Sequence, residues 1–311
     1  MPGPSDNSRE RLIRAVHSLE GLSCGDAFGE RFFLHPEVAR FLIAQRAVPS
    51  PPWRYTDDTA MAIAIAEILE EHGEIRQEPL ADIFGKNFLA NPHRGYGPAM
   101  HNLLPELANA PSAWKKIAPA LFKGRGSFGN GAAMRIAPLG AYFADDRVKL
   151  TEQAELSAVI THSHAEGIAG AVAIALAAGL AWRHKDSPVS PHDFLQEICD
   201  RKPESEVRRG IVEALALPSN TPVESAVATL GNGAKVSAQD TVPFALWAAA
   251  THLQDYEDAL WTTVSGLGDR DTTCAIVGGI VALSAGVESI PPSWIQSREP
   301  IPAWFLYPRP G

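Results

Sequence analysis

Ala-rich apolar runs with polar residues recurring at helical spacing dominate this chain, and it has few of the alternating β-branched stretches that a strand needs. The longest run, Ile168–Trp182, falls short of the roughly 20 residues that span a bilayer, and it is mostly Ala and Gly rather than Leu and Phe. It reads as a buried core helix, and no membrane span is expected. The periodicity predicts helices over about Glu10–Gly29, Thr59–His72, Leu80–Asn91, Leu150–His162, Ala165–His184, Ser205–Ala216, Val223–Leu230, Val242–His252, Tyr256–Leu267 and Thr272–Gly286. So many helices without strands point to an all-α fold.

Proline cuts these helices at Asn91-Pro92, Leu217-Pro218 and Pro291-Pro292, where the preceding residue is pushed out of helical geometry. The stretch Lys185–Pro222 is the most polar and Pro-rich interior segment and resembles a linker. It is read instead as a helical excursion, because the segments on either side of it build one site. Residues 1–311 are therefore expected to form one compact multi-helix bundle, with 1–9 and 297–311 as peripheral tails. No internal repeat of fixed period is visible.

Composition excludes several classes of function. Hydrophobic residues make up 45% and charged residues 20%, a globular rather than a disordered balance. The formal net charge is −9 with no local basic island, so stable nucleic-acid binding is not expected. Cys24, Cys199 and Cys274 lie far apart, form no CxxC pair and are odd in number, which suggests neither a disulfide framework nor a zinc site. With a polar N-terminus lacking the apolar core of a secretory signal, they predict a protein of the reducing cytoplasm.

Two acidic clusters carry the chemistry. Tyr55-Thr56-Asp57-Asp58-Thr59 leads into the apolar run beginning at Met61, and Gly268-Asp269-Arg270-Asp271-Thr272-Thr273 leads into the one beginning at Cys274. Ser, Thr and Asp at a helix start serve as caps, and acids suit the positive end of the dipole. A cap needs only one or two such side chains, and each cluster supplies four. Close-packed carboxylates repel unless a proton or a cation neutralises them. Hard oxygen donors without His or Cys are what Mg²⁺ selects, rather than zinc or copper. If the two helix starts face each other, their acids can hold two ions in one cleft.

Gly124-Arg125-Gly126-Ser127-Phe128-Gly129-Asn130-Gly131 contains a literal GxGxxG. A dinucleotide fold would need a strand before it and a helix after it, and no βαβ alternation surrounds it. It reads as a loop whose N–H groups approach an anion or ribose, with Ser127 and Asn130 as side-chain partners; the plainer reading is a turn before a helix containing Met134 and Arg135. Arg94-Gly95-Tyr96-Gly97-Pro98 is either a tight turn or a loop presenting an aromatic ring to a base or sugar. In Thr161-His162-Ser163-His164 the two histidines do not share a helix face, so a two-His metal site is not expected, and His162 is the candidate hydrogen-bonder to phosphate or ribose.

Gly25-Asp26-Ala27-Phe28-Gly29, Thr56-Asp57-Asp58-Thr59, Gly129-Asn130-Gly131-Ala132-Ala133-Met134-Arg135, Thr161-His162-Ser163-His164 and Gly268-Asp269-Arg270-Asp271-Thr272-Thr273 together resemble the ADP-ribosylglycohydrolases, in that family's order and across nearly the whole chain. The resemblance implies an all-α fold with a binuclear magnesium (or manganese) centre. It implies Thr56, Asp57, Asp58, Asp269, Asp271 and Thr272 as metal ligands. It also implies Ser127, Gly129, Asn130, Gly131 and His162, with Tyr96, as the lining of an ADP-ribose pocket. The implied reaction is attack of water on the anomeric carbon of the distal ribose, releasing ADP-ribose from an acceptor. Many family members carry a glutamate a few residues beyond Gly-Asp-Ala-x-Gly, and here those residues are Glu30-Arg31-Phe32-Phe33. Some use an acid in the loop that reads Arg94-Gly95-Tyr96-Gly97, which has none.

Glycoside cleavage passes through an oxocarbenium-like state that a nearby carboxylate stabilises. Glu30, Asp58 and Asp271 are the catalytic candidates, with Glu30 or a water held by Asp57 and Asp271 as base. The rival functions are an ADP-ribose-binding module without hydrolysis and a metal-dependent phosphohydrolase acting on a diphosphate.

Overall fold

The structure is a computed structural model that describes residues 6–302, apart from 201–203 and 219. Among the described residues there are sixteen α-helices and three short 3-10 turns. No strand forms among them, only isolated bridges at Trp53–Arg298 and Gly129–Ser237. The fold is the all-α bundle that the periodicity predicted.

At its centre lie the helices Asp6–Glu30, Asp57–His72, Ala165–Arg183, Ala238–Thr251 and Arg270–Ser284. Ala165–Arg183 matches by length and composition a helix able to cross a membrane, but 78% of its apolar window is buried inside the protein. It is the core helix that its Ala-Gly composition suggested. The polar stretch after it forms helices Pro191–Cys199 and Glu206–Ala216. Gly210 of the latter lies so close to Pro243 that a Cβ would stand 2.3 Å from the ring, which fixes the excursion on the Ala238–Thr251 helix.

The closest helix contact positions the site. Gly21, Gly25 and Gly29 recur at four-residue spacing on Asp6–Glu30, and a Cβ at each would fall 2.2 Å from a backbone oxygen of Gly278, Cys274 or Arg270. The helix Arg270–Ser284 lies backbone to backbone in this groove, with Ser18 Oγ donating to Gly279 O at 2.7 Å and Tyr256 OH to Gly21 O at 2.7 Å. Any side chain larger than hydrogen would push the helices apart, and with them the acids at the start of the second one.

The helices to which the sequence reading gave no bounds carry proline. Pro36–Ala44, Ala137–Tyr142, Pro191–Cys199 and Pro292–Ser297 have it in the first turn, where its missing N–H is an orphan anyway. Met100–Asn109 and Trp114–Gly124 tolerate Pro105 and Pro119 inside, the latter leaving helical geometry at Leu121, Phe122 and Lys123. Met134 and Arg135 lie in a turn, not in the helix that the plainer reading of the glycine segment expected, because the helix begins only at Ala137. Of the expected tails, 1–5 and 303–311 lie outside the described residues, and Ser297–Pro302 packs on the protein: Trp53 N donates to Ser297 O at 2.7 Å, and Arg298 pairs with Glu20 at 3.0 Å.

Candidate active site

Asp57 and Asp58 open the helix Asp57–His72 behind the cap residue Thr56, and Asp271 lies in the first turn of Arg270–Ser284 behind Asp269. The dipoles of both helices favour negative charge at these positions. The two helix starts converge: Thr272 Oγ1 approaches Asp58 Oδ2 to 3.5 Å across a separation of 214 residues. Asp57, Asp58, Asp269, Asp271 and Thr272 line one cavity of about 420 Å³.

Asp26, which the sequence reading quoted in its motif but gave no role, organises the first cluster. Fully buried, it accepts from Thr56 N at 2.9 Å, Thr56 Oγ1 at 2.9 Å, Thr59 N at 3.1 Å and Thr59 Oγ1 at 2.5 Å. It thereby clamps the helix start from beneath while its own helix holds the second cluster through the glycine groove. Arg94 clamps it from the other side. Its carbonyl accepts from Asp57 N at 2.7 Å, its guanidinium donates to Tyr55 O at 2.7 Å, and it pairs with Glu299 at 2.7 Å.

The acids are crowded. Burial lifts Asp26 to about 6 despite its donors, and burial with Asp26 nearby pushes Asp57 up to about 8. Burial, with Asp26 and Asp271 close by, raises Asp58, and burial with Asp269 alongside raises Asp271. Asp58 Oδ1 is buried and meets no hydrogen-bond donor among the described residues. Such an oxygen is satisfied either by a proton or by a cation, and a divalent cation would reverse such shifts. No three His, Cys, Asp or Glu side chains form a ready metal cage among the described residues. The donors instead form an open wall of carboxylates and threonine hydroxyls, which suits Mg²⁺ because it keeps several waters and needs only one or two protein carboxylates.

The opposite wall is the glycine segment. Ser127, Gly129, Asn130, Gly131 and His162 all line the same cavity. Asn130 Nδ2 joins the two walls, donating to Asp269 Oδ2 at 2.7 Å. The glycines are required by His162: a Cβ on Gly131 would fall 2.8 Å from its ring. Burial, with Arg135 nearby, holds His162 down to about 3, so its imidazole is neutral and acts as a hydrogen-bonding group. His162 Nδ1 lies 2.7 Å from Thr161 Oγ1, which accepts from Arg135 Nη2 at 2.9 Å. His164 caps the next helix, accepting from Glu166 N at 3.1 Å.

Three sequence candidates do not line this cavity: Tyr96, Glu30 and Thr56, whose hydroxyl is bonded to Asp26 and Asp58. Tyr96 is buried edge-on against Phe88 at 5.0 Å, and the loop presents Gly95, Gly97 and Pro98 instead. Glu30, at the solvent-facing end of its helix, lines an adjoining cavity with Thr56 and Arg94, and the partial burial of its carboxyl, followed by the charge of Asp26, raises it. Gly95 borders both cavities. The sequence reading also missed Phe122 and Phe128, aromatic rings 6.2 Å apart at the cavity. Phe128 stands inside the glycine segment and could have been found there. Phe122 carries no sequence signal, since only its left-handed backbone (φ 50°) turns it there.

Residues 7–306 match the ADP-ribosylglycohydrolase family. This chain belongs to that family. As a member it is a hydrolase of glycosyl bonds. It is 30% identical to ADP-ribosylhydrolase ARH3 of Gallus gallus over 79% of this chain and 74% of that protein. It is 29% identical to ADP-ribosylhydrolase ARH3 of Homo sapiens over 93% and 90%. Among solved structures, an "ADP-ribosylglycohydrolase-related protein complex" superimposes with a TM-score of 0.63 at 22% identity, covering 94% of each chain, which shows the shared fold.

Proposed function

We propose that this family member removes ADP-ribose from an ADP-ribosylated acceptor, with Mg²⁺ (or Mn²⁺) held by Thr56, Asp57, Asp58, Asp269, Asp271 and Thr272. The observation that carries this reading is the meeting of Asp58 and Thr272 at 3.5 Å in a cavity whose other wall is a glycine loop. When bound, the cation would supply positive charge for sugar hydroxyls and for activating water. Ser127 and the backbone N–H groups of the Gly129–Gly131 turn suit the ribose and phosphate oxygens, and His162 offers a neutral imidazole. Phe122 and Phe128 offer faces for a purine. Asp58 and Asp271 are the carboxylates that would stabilise an oxocarbenium-like sugar. Glu30 is the candidate base approaching from the adjoining cavity, its carboxyl raised by burial and by the charge of Asp26. The three cysteines are free and buried, in keeping with action in a reducing cytoplasm.

The test is release of ADP-ribose from a panel of proteins modified on serine or arginine, with Mg²⁺ and with chelator. Magnesium-dependent release of intact ADP-ribose is expected. Release of AMP would instead identify a phosphohydrolase, and ADP-ribose binding without release a binding module.

A further inference from the structure

Charge around the cavity is uneven. Four aspartates line it, and the one cationic side chain lining it among the described residues is Lys235. His162 is neutral, and the guanidinium of Arg135 is buried behind the wall, donating to Gly131 O, Ser157 O and Thr161 Oγ1. An anion entering here is repelled by the carboxylates unless cations meet it at both ends.

The backbone of Lys235 is fixed and its ammonium is not. Asn232 Nδ2 donates to Gly266 O at 2.8 Å, Asn232 O accepts from Asp269 N at 3.1 Å, and Lys235 N donates to Asp240 Oδ2 at 3.0 Å. The loop is thus bonded directly to the second acid cluster. The Lys235 side chain is 81% exposed, and its ammonium stands 3.3 Å from Oδ1 of Asp240, a buried carboxylate whose other oxygen keeps the bond from Lys235 N when the ammonium turns away. The next residue, Val236, holds a left-handed backbone (φ 52°) that a β-branched residue rarely adopts, and also lines the cavity. Strain of this kind is found at ligand clamps.

We propose that Lys235 is the specificity-determining residue of the cavity, leaving Asp240 to bind a phosphate oxygen of the nucleoside diphosphate. This rests on the ADP-ribose reading above. The charge-assisted contact would exchange one side-chain partner of the lysine for another while Asp240 stays bonded to the Lys235 backbone, and would separate phosphorylated from unphosphorylated nucleosides.

Calorimetric titration of ADP-ribose and of adenosine into wild type, Lys235→Ala and Lys235→Arg, with Mg²⁺ at low and high salt, tests it. Lys235→Ala is expected to weaken ADP-ribose binding about ten-fold, to flatten its salt dependence and to leave adenosine unaffected, while Lys235→Arg keeps most of the affinity. Unchanged ADP-ribose affinity in Lys235→Ala, beside normal wild-type binding, overturns the lysine assignment alone. Equal loss for both ligands overturns it in favour of a structural role. A wild type that does not bind ADP-ribose removes both the functional reading and this inference.

Discussion

Asp57, Asp58 and Asp271 stand in the first turns of two buried helices, whereas the facing wall is made of loops, from Phe122 to Gly131 and from Gly231 to Val236. The acids are held by backbone: Asp26 and Arg94 grip one helix start, and the glycine groove fixes the other. The loops depend on left-handed residues, with Phe122, Lys123 and Val236 adopting φ values usually left to glycine. Chemistry needs groups fixed to within a fraction of an ångström, and rigid helices provide that. Recognition tolerates more variation, and loops carry it.

This contrast predicts different failures for the two walls. Asp58→Asn should lower ADP-ribose release by about 10³-fold while leaving the melting temperature in chelator unchanged or higher, because it removes a carboxyl whose ionisation burial and the neighbouring aspartates oppose. An active Asp58→Asn enzyme would place the chemistry elsewhere. Asp26→Asn should lower activity by about 100-fold through misplaced Thr56 and Thr59, with a raised magnesium requirement as its signature. If activity fell with no change in magnesium dependence, Asp26 would not act through the acid wall.

On the loop wall, His162 links recognition to pH. Its folded pKa of about 3 lies below the unfolded value of 6.5, so between these values the unfolded chain binds the extra proton. The contribution of His162 to stability is therefore complete above about pH 6.5 and is lost as pH falls, by about 2 kcal/mol at pH 5. Urea melts of wild type and His162→Gln at pH 7 and pH 5 should differ by that amount, and parallel curves would refute the buried neutral imidazole. The smallest effect is expected for Gly131→Ala, whose Cβ meets the His162 ring: KM should rise about ten-fold with kcat largely kept. A fall in kcat instead would show that the two walls are not separable.

The all-α fold was legible because helical periodicity, Ala-rich runs and capping residues are local properties, readable wherever apolar residues recur at the right spacing. The acid clusters were legible too, since four oxygen donors exceed what a cap needs. Proline misled at Pro291-Pro292, read as a break, where its place in the first turn of Pro292–Ser297 favours a helix, as it does at Pro36, Pro138 and Pro191.

What the linear order determined by itself was a set of helices and two acid-bearing helix starts. Whether those starts met depended on how closely two backbones pack. Gly21, Gly25 and Gly29 count as ordinary small residues in a sequence, and only in contact with Gly278, Cys274 and Arg270 do their missing side chains bring Asp26, Asp58 and Thr272 together. The burial of Tyr96, the place of Glu30 beside the cavity and the turn that presents Phe122 were likewise decided by tertiary contacts, since the direction of a side chain depends on the surface available to cover it.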